Sequence, residues 1–211
     1  MNTLSTGLNK KRILPYLLVS GISFAITAII ILVFFALSGI APFGDNSLLF
    51  RDGEIQMMDL FSWYKDVLTG KSSVDYTFTK SLGGSNFSVF SYYLASPFSF
   101  LIIFFNKAQT PLFINIIYLL KAAFAAAFMG IYLNHRFEPK GKLKVAISVT
   151  LSVSYALNPF FLAQSSNTMW LDGAYMLPLL LIGAEILATN KKSLLFIVAS
   201  ALAICFNWYS G

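Results

Sequence analysis

An all-α polytopic membrane protein is the fold class this sequence predicts, with about five transmembrane helices and one long outer loop holding a juxtamembrane helix and a re-entrant or interfacial segment. Three observations predict it. Hydrophobic residues make up 57% of the chain and charged residues only 11%, against about 25% charged in a soluble domain. The apolar residues come in long unbroken runs rather than one-sided stripes, so lipid is their natural solvent. Most of the acidic residues lie in a single stretch after the first run, between Asp45 and Asp75. Helices are expected rather than a barrel, because barrel strands would alternate polar and apolar positions.

The net charge of +6 does not point to nucleic acid. Its lysines and arginines sit in short clusters beside apolar runs, where they set membrane orientation. Cys205 is the single cysteine and can form no internal disulfide. His135 lies in a basic turn with no second metal ligand near it, and is read as a solvated structural residue.

The first run extends from Ile13 to Leu37 behind Lys10, Lys11 and Arg12. At about 25 residues it exceeds the core of a cleavable signal peptide and is long enough to cross with some tilt. Residues 1–12 are therefore expected in the cytoplasm, 13–38 as the first transmembrane helix, 39–111 as an extracytoplasmic loop, and 112–211 as the remaining helices. Apolar runs lie at about 88–105, 112–133, 144–162, 173–189 and 194–211. Arg136, Lys140, Lys142 and Lys144 form one basic turn and Lys191-Lys192 another, and both belong on the cytoplasmic side. That requires 88–105 not to cross fully. Pro97 interrupts this run, and Tyr92-Tyr93 is typical of a membrane boundary. The stretch from Asn167 to Asp172 then faces the same side as the long loop. The last run reaches Gly211 without a polar closing segment, so the chain is expected to be the front part of a longer protein.

Within the loop, Met57, Leu60, Phe61, Tyr64, Val67 and Leu68 recur at helical spacing, with Gln56, Asp59, Ser62, Lys65 and Asp66 on the other face. Such a helix is expected to lie flat on the outer membrane surface, capped by Gly70. Asp52 stands at its start. One reading makes it an N-cap, with Glu54 favourable in the first turn. The other makes it a functional carboxylate, and spacing leaves both open. Asp172 follows Trp170 at the mouth of a run and reads equally as a solvated acid beside an interfacial anchor. Lys121 lies about nine residues into its run, where an ammonium needs a partner or a wet cavity, or must snorkel. Glu185 is a candidate partner, although nearer the cytoplasmic side. Gly83-Gly84 and Asn86 are read as a turn into the half-buried segment.

The strings Arg51-Asp52-Gly53-Glu54-Ile55-Gln56, Tyr64 to Lys71, Leu82-Gly83-Gly84-Ser85-Asn86, Tyr92 to Phe98, Leu120-Lys121, Ser154-Tyr155-Ala156-Leu157 and Met169-Trp170-Leu171-Asp172 together resemble the bacterial YfhO-like membrane proteins. That family in turn resembles the GT-C glycosyltransferase superfamily, so the chain looks like a GT-C-like N-terminal module in a bacterial cell membrane. Family members are several times longer than this chain. The resemblance implies transfer of a sugar from a polyprenyl-phosphate-linked donor to an extracytoplasmic glycopolymer such as lipoteichoic or wall teichoic acid. Asp52 matches the acidic residue of the first outer loop that serves as base or donor-side ligand in GT-C enzymes. Glu54 stands where an aspartate is frequent, which keeps a carboxylate but alters its reach. Arg51, Gln56, Asn86, Lys121, Asn167, Trp170 and Asp172 are the implied substrate-binding positions.

The implied chemistry is an inverting displacement: Asp52 takes the proton of an acceptor hydroxyl as it attacks the anomeric carbon, and polyprenyl phosphate leaves. Lys121 or Arg51 would meet the developing phosphate charge. No cofactor is required. A divalent metal between Asp52 and Glu54 is the less favoured option, because two carboxylates are a sparse ligand set. The rivals are a lipid or sugar flippase with Lys121 and Glu185 along its pathway, and a non-catalytic membrane subunit of a glycosylation system. A flippase concentrates function at mid-membrane, whereas these carboxylates sit at the rim.

Overall fold

A computed structural model describes residues 10–78, 82–137 and 141–209. The expectations for residues 1–9, for Lys140 and for the end of the last run at Gly211 lie outside the described residues. Among those described the chain is helical, with only two isolated bridges, Ile40 to Asn46 and Thr77 to Gly84.

Four stretches are long and apolar enough to cross a membrane: Leu14–Leu37, Lys107–Phe137, Lys142–Ala163 and Thr168–Asn190. The first belongs to helix α1, Lys10–Leu37. Its Pro15 sits in the first turns, where a missing N–H costs least. In the loop, a π-helical turn at Gly53–Met57 runs into α2, Met58–Leu68. Asp66 and Val67 then accept from the N–H groups of Lys71 and Gly70, at 2.7 and 3.0 Å, with Gly70 at φ +75°. This is a Schellman ending, and it explains the glycine that the spacing placed there.

Next come α3, Phe87–Val89, a π-helical turn at Phe90–Leu94 and a 3-10 helix at Pro97–Phe104, the two limbs meeting at 96°. The segment turns sharply instead of running straight through the bundle. Phe98 at the bend reaches Phe124 and Tyr175, with ring centroids 5.5 and 5.6 Å away, while Phe105 returns to Phe113 at 5.4 Å, near the start of α4, Thr110–Phe137. Ser96 and Pro97 supply the break: the residue before proline is extended, at ψ 138°, and proline opens the second limb. A capping box on Asn106 and Gln109 then starts the long fourth helix.

α5, Lys142–Ala156, stops before Asn158, whose side chain accepts from the N–H groups of Phe160 and Phe161 to start the short α6, Pro159–Ala163. α7, Leu171–Asn190, ends on Lys191 in a left-handed conformation, and α8, Leu194–Phe206, follows. The run expected to span from 194 to 211 is thus a helix of 13 residues. At about 1.5 Å per residue it reaches roughly 20 Å, short of the ~30 Å core. Asn207 stops it, donating its side-chain amide to the Tyr92 carbonyl at 2.8 Å.

α1 runs antiparallel to α4. Phe24 meets Phe124 edge to face at 5.2 Å, and the bare Gly130 lets the backbone of Ser20 come close. α4 and α7 run parallel, since Lys121 pairs with Asp172 and Arg136 faces Glu185. Gly183 permits a close approach of α7 to α8: a β-carbon there would stand 2.7 Å from Phe196 Cα. This alternation collects the long loop, the 157–170 connection and Asn207 at one end, here called the loop end. Arg136, Lys142, Lys144, Lys191 and Lys192 gather at the other.

A second apolar core lies under α2. Met57, Phe61 and Tyr64 are buried against Leu94 and Ile102 of the bent segment and against Phe113, Ile114 and Ile117 of α4. The amphipathic helix expected to rest on lipid is instead covered by protein. Its periodicity is the same in either setting, because spacing reports an apolar face but not what covers it.

Candidate functional site

Asp52, Glu54 and Gln56 stand exposed at the loop end on the π-helical turn. The N-cap reading of Asp52 fails on geometry. Its backbone is already helical, at φ −56° and ψ −30°, and its carboxylate makes no capping bond; a capping residue has extended dihedrals and accepts from the N2 or N3 amide. The preceding Arg51 takes φ +49°, an unusual conformation for a residue with a side chain. Gly53 is wedged against Ser166, where a β-carbon would fall 1.9 Å from Oγ. That hydroxyl accepts from the Phe50 N–H at 3.2 Å and donates to the Phe50 carbonyl at 2.9 Å, fastening the turn to the 157–170 connection. Two constraints therefore hold Asp52 while its carboxylate stays in water.

Tyr93 completes this group by donating its hydroxyl to Gln56 Oε1 at 3.2 Å. Burial, then the neighbouring Tyr92 and then the negative charge of Asp52 hold the Tyr93 hydroxyl above its usual pKa. It therefore remains a donor at neutral pH.

Lys121 and Asp172 form a separate buried cluster. The Lys121 ammonium lies 2.6 Å from Asp172 Oδ2 and donates to the Thr168 carbonyl at 2.9 Å; Ser96 donates to Asp172 Oδ1 at 2.6 Å. The residues are 1% and 0% exposed. Asp172 is therefore not the solvated acid that its neighbour Trp170 suggested. The partner of Lys121 is not Glu185 either, which instead lies 3.9 Å from Arg136 near the opposite end. Geometry explains the difference. Lys121 sits roughly 16 Å along α4 from Thr110, and the parallel packing of α7 puts Asp172, not Glu185, at that depth. The Tyr175 hydroxyl is near enough to interact with Asp172 but lacks hydrogen-bond geometry.

The bent segment joins the two groups. Ser96 reaches Asp172 from its corner, Tyr93 reaches Gln56, and the Tyr92 hydroxyl accepts from the Trp170 indole at 3.3 Å. Asn167 is half-buried between Ser166 and Thr168, and its carbonyl accepts from the Trp170 N–H at 3.1 Å. Asn86 does not join this set; it lines a different groove, beside Asp59 and Trp63. Sequence reasoning missed Ser96 and Ser166. The first carried a signal, since it precedes the proline that bends the segment. A single serine such as Ser166 carries none. Among the described residues no three histidine, cysteine or carboxylate side chains converge as a metal site would require.

A family model described as bacterial membrane protein YfhO matches residues 23–211. No curated protein and no solved structure matches the chain.

Proposed function

We propose that this chain, which belongs to the YfhO family of bacterial membrane proteins, carries the base of a glycosyl transfer from a polyprenyl-phosphate sugar to an extracytoplasmic glycopolymer such as a teichoic acid. The observation that carries the reading is the state of Asp52: an exposed carboxylate with no capping role, held on a π-turn by the left-handed Arg51 and the close approach of Gly53 to Ser166. π-turns and unusual backbone conformations cluster at functional sites, where the rest of the fold over-determines them.

By the positive-inside preference the loop end faces outward, with the N-terminus and the Arg136 and Lys191 clusters in the cytoplasm. An acceptor hydroxyl approaching from that side gives its proton to Asp52 while its oxygen attacks the anomeric carbon. The bond to the phosphate oxygen breaks, and polyprenyl phosphate leaves with the negative charge. Arg51, exposed beside Asp52, is the cation suited to that charge. Lys121 serves differently. Its ammonium is sealed against Asp172 and Thr168, so it positions the bent segment instead of meeting the donor. Glu54 and Gln56 orient substrate around the base.

Asp52→Asn is the decisive substitution. Since the carboxylate makes no capping bond in this structure, and asparagine caps as well as aspartate does, the variant should reach normal membrane levels. Loss of a general base should lower sugar incorporation into the surface polymer by ~10²–10⁴-fold. Glu54→Gln should be milder. Near-normal incorporation by Asp52→Asn at equal membrane levels would overturn the assignment.

A further inference from the structure

We propose that the groove between α2 and the start of the bent segment, separate from the Asp52 group, binds neutral glycosyl units presented from the outer aqueous side. The groove has a volume of about 540 Å³, and its polar lining includes Asp59, Trp63, Asp66, Lys71, Ser72 and Asn86. These side chains come from three places in the chain, and Trp63, with Leu60 beside it in the wall, packs on the second core beneath α2.

Asn86 is the residue that marks a site rather than a solvated face. It is 7% exposed, yet its side chain does not cap the α3 helix that it precedes, and its amide hydrogen-bonds to no described protein group. Its amide atoms are not fully enclosed, so they open onto the groove rather than onto protein. Its place in the groove wall gives it an outside partner, and an amide can both donate to and accept from a hydroxyl. Trp63 is oriented by its own bond, the indole N–H donating to Ser72 Oγ at 3.0 Å. A half-buried indole fixed at its polar edge offers an apolar surface to the C–H face of a pyranose ring. Asp59 is exposed and free to accept from ring hydroxyls, whereas Asp66 is held by Lys107 at 2.5 Å.

The charge balance selects the ligand class. Two carboxylates and one ammonium line the groove, and the ammonium of Lys107 offsets the second carboxylate. Such a wall offers hydrogen bonds to neutral hydroxyls and no net attraction for phosphate. Asp59 lies seven positions beyond Asp52, roughly 10 Å along a helix. If the chain is a transferase, the groove is placed to hold a sugar already carried by the acceptor; binding itself does not depend on that reading.

The test is direct binding without turnover. Protein in nanodiscs is titrated with cellobiose and, separately, with a short glycerol phosphate oligomer, followed by saturation-transfer NMR. Saturable cellobiose binding is expected, weakened at least tenfold by Asn86→Ala and by the surface substitution Asp59→Asn, and unchanged by Asp52→Asn. The phosphate oligomer should bind more weakly. Absence of saturable binding, equal affinity in the Asn86→Ala and Asp59→Asn proteins, or preference for the phosphate oligomer would each overturn the proposal. Because Asp52→Asn is read separately in the transfer assay, failure of the groove and failure of the catalytic assignment remain distinguishable.

Discussion

Lys121 and Asp172 are informative because their pairing inverts what each suggested alone. A lysine deep in an apolar run suggests a substrate pathway, and an aspartate beside a tryptophan suggests water. Together, 2.6 Å apart and sealed from solvent, they form one neutral unit whose remaining bonds go to Thr168 and Ser96. Removing one member strands a charge in a dry site, which costs ~3–5 kcal/mol, while replacing both with neutral groups of similar size is often tolerated. Lys121→Met and Asp172→Asn should therefore each lower the thermal midpoint in detergent sharply, and the double substitution should recover most of the loss. Strictly additive losses in that cycle would show that the ion pair does not couple the two residues.

The bent segment depends on a different device. The 3-10 limb Pro97–Phe104 ends in carbonyls that its own geometry leaves open. Lys65 on α2 donates to two of them, Ile103 at 3.2 Å and Phe105, and Lys107 anchors the same corner to Asp66. An ammonium at a helix C-terminus is favourable both as donor and against the dipole. Lys65→Met should release this limb while sparing the long helices. Hydrogen exchange is expected to quicken across residues 97–105 and to stay unchanged in α4; uniform protection in both would show that the contact is dispensable.

Across the whole molecule, helix direction decides which segments meet. Alternation from α1 through α8 puts the acidic loop, the 157–170 connection and Asn207 at one end and the basic turns at the other. Positive residues are retained on the cytoplasmic side, so Asp75→Cys should react with a membrane-impermeant maleimide in intact cells and Lys192→Cys only after permeabilisation. The reverse labelling would overturn the outward placement of the candidate site. The same test separates a re-entrant bent segment from a full crossing, which would put the two cysteines on the same side.

Solvent class, helical fold, the long loop, the glycine that ends α2 and the break at Pro97 are all legible in the sequence. Each is a local property: apolar run length sets the solvent, a Schellman ending needs a left-handed residue, and proline forces its predecessor out of the helix. Tertiary structure decides the rest. It covers the apolar face of α2 with protein, shortens the last run to α8, and pairs Lys121 with Asp172 in place of Glu185. It also denies Asp52 a capping bond and sets Asn86 apart in its own groove. Those outcomes turn on which helices run parallel and at what depth they meet, and spacing along one chain carries no information about the distance between two turns of different helices.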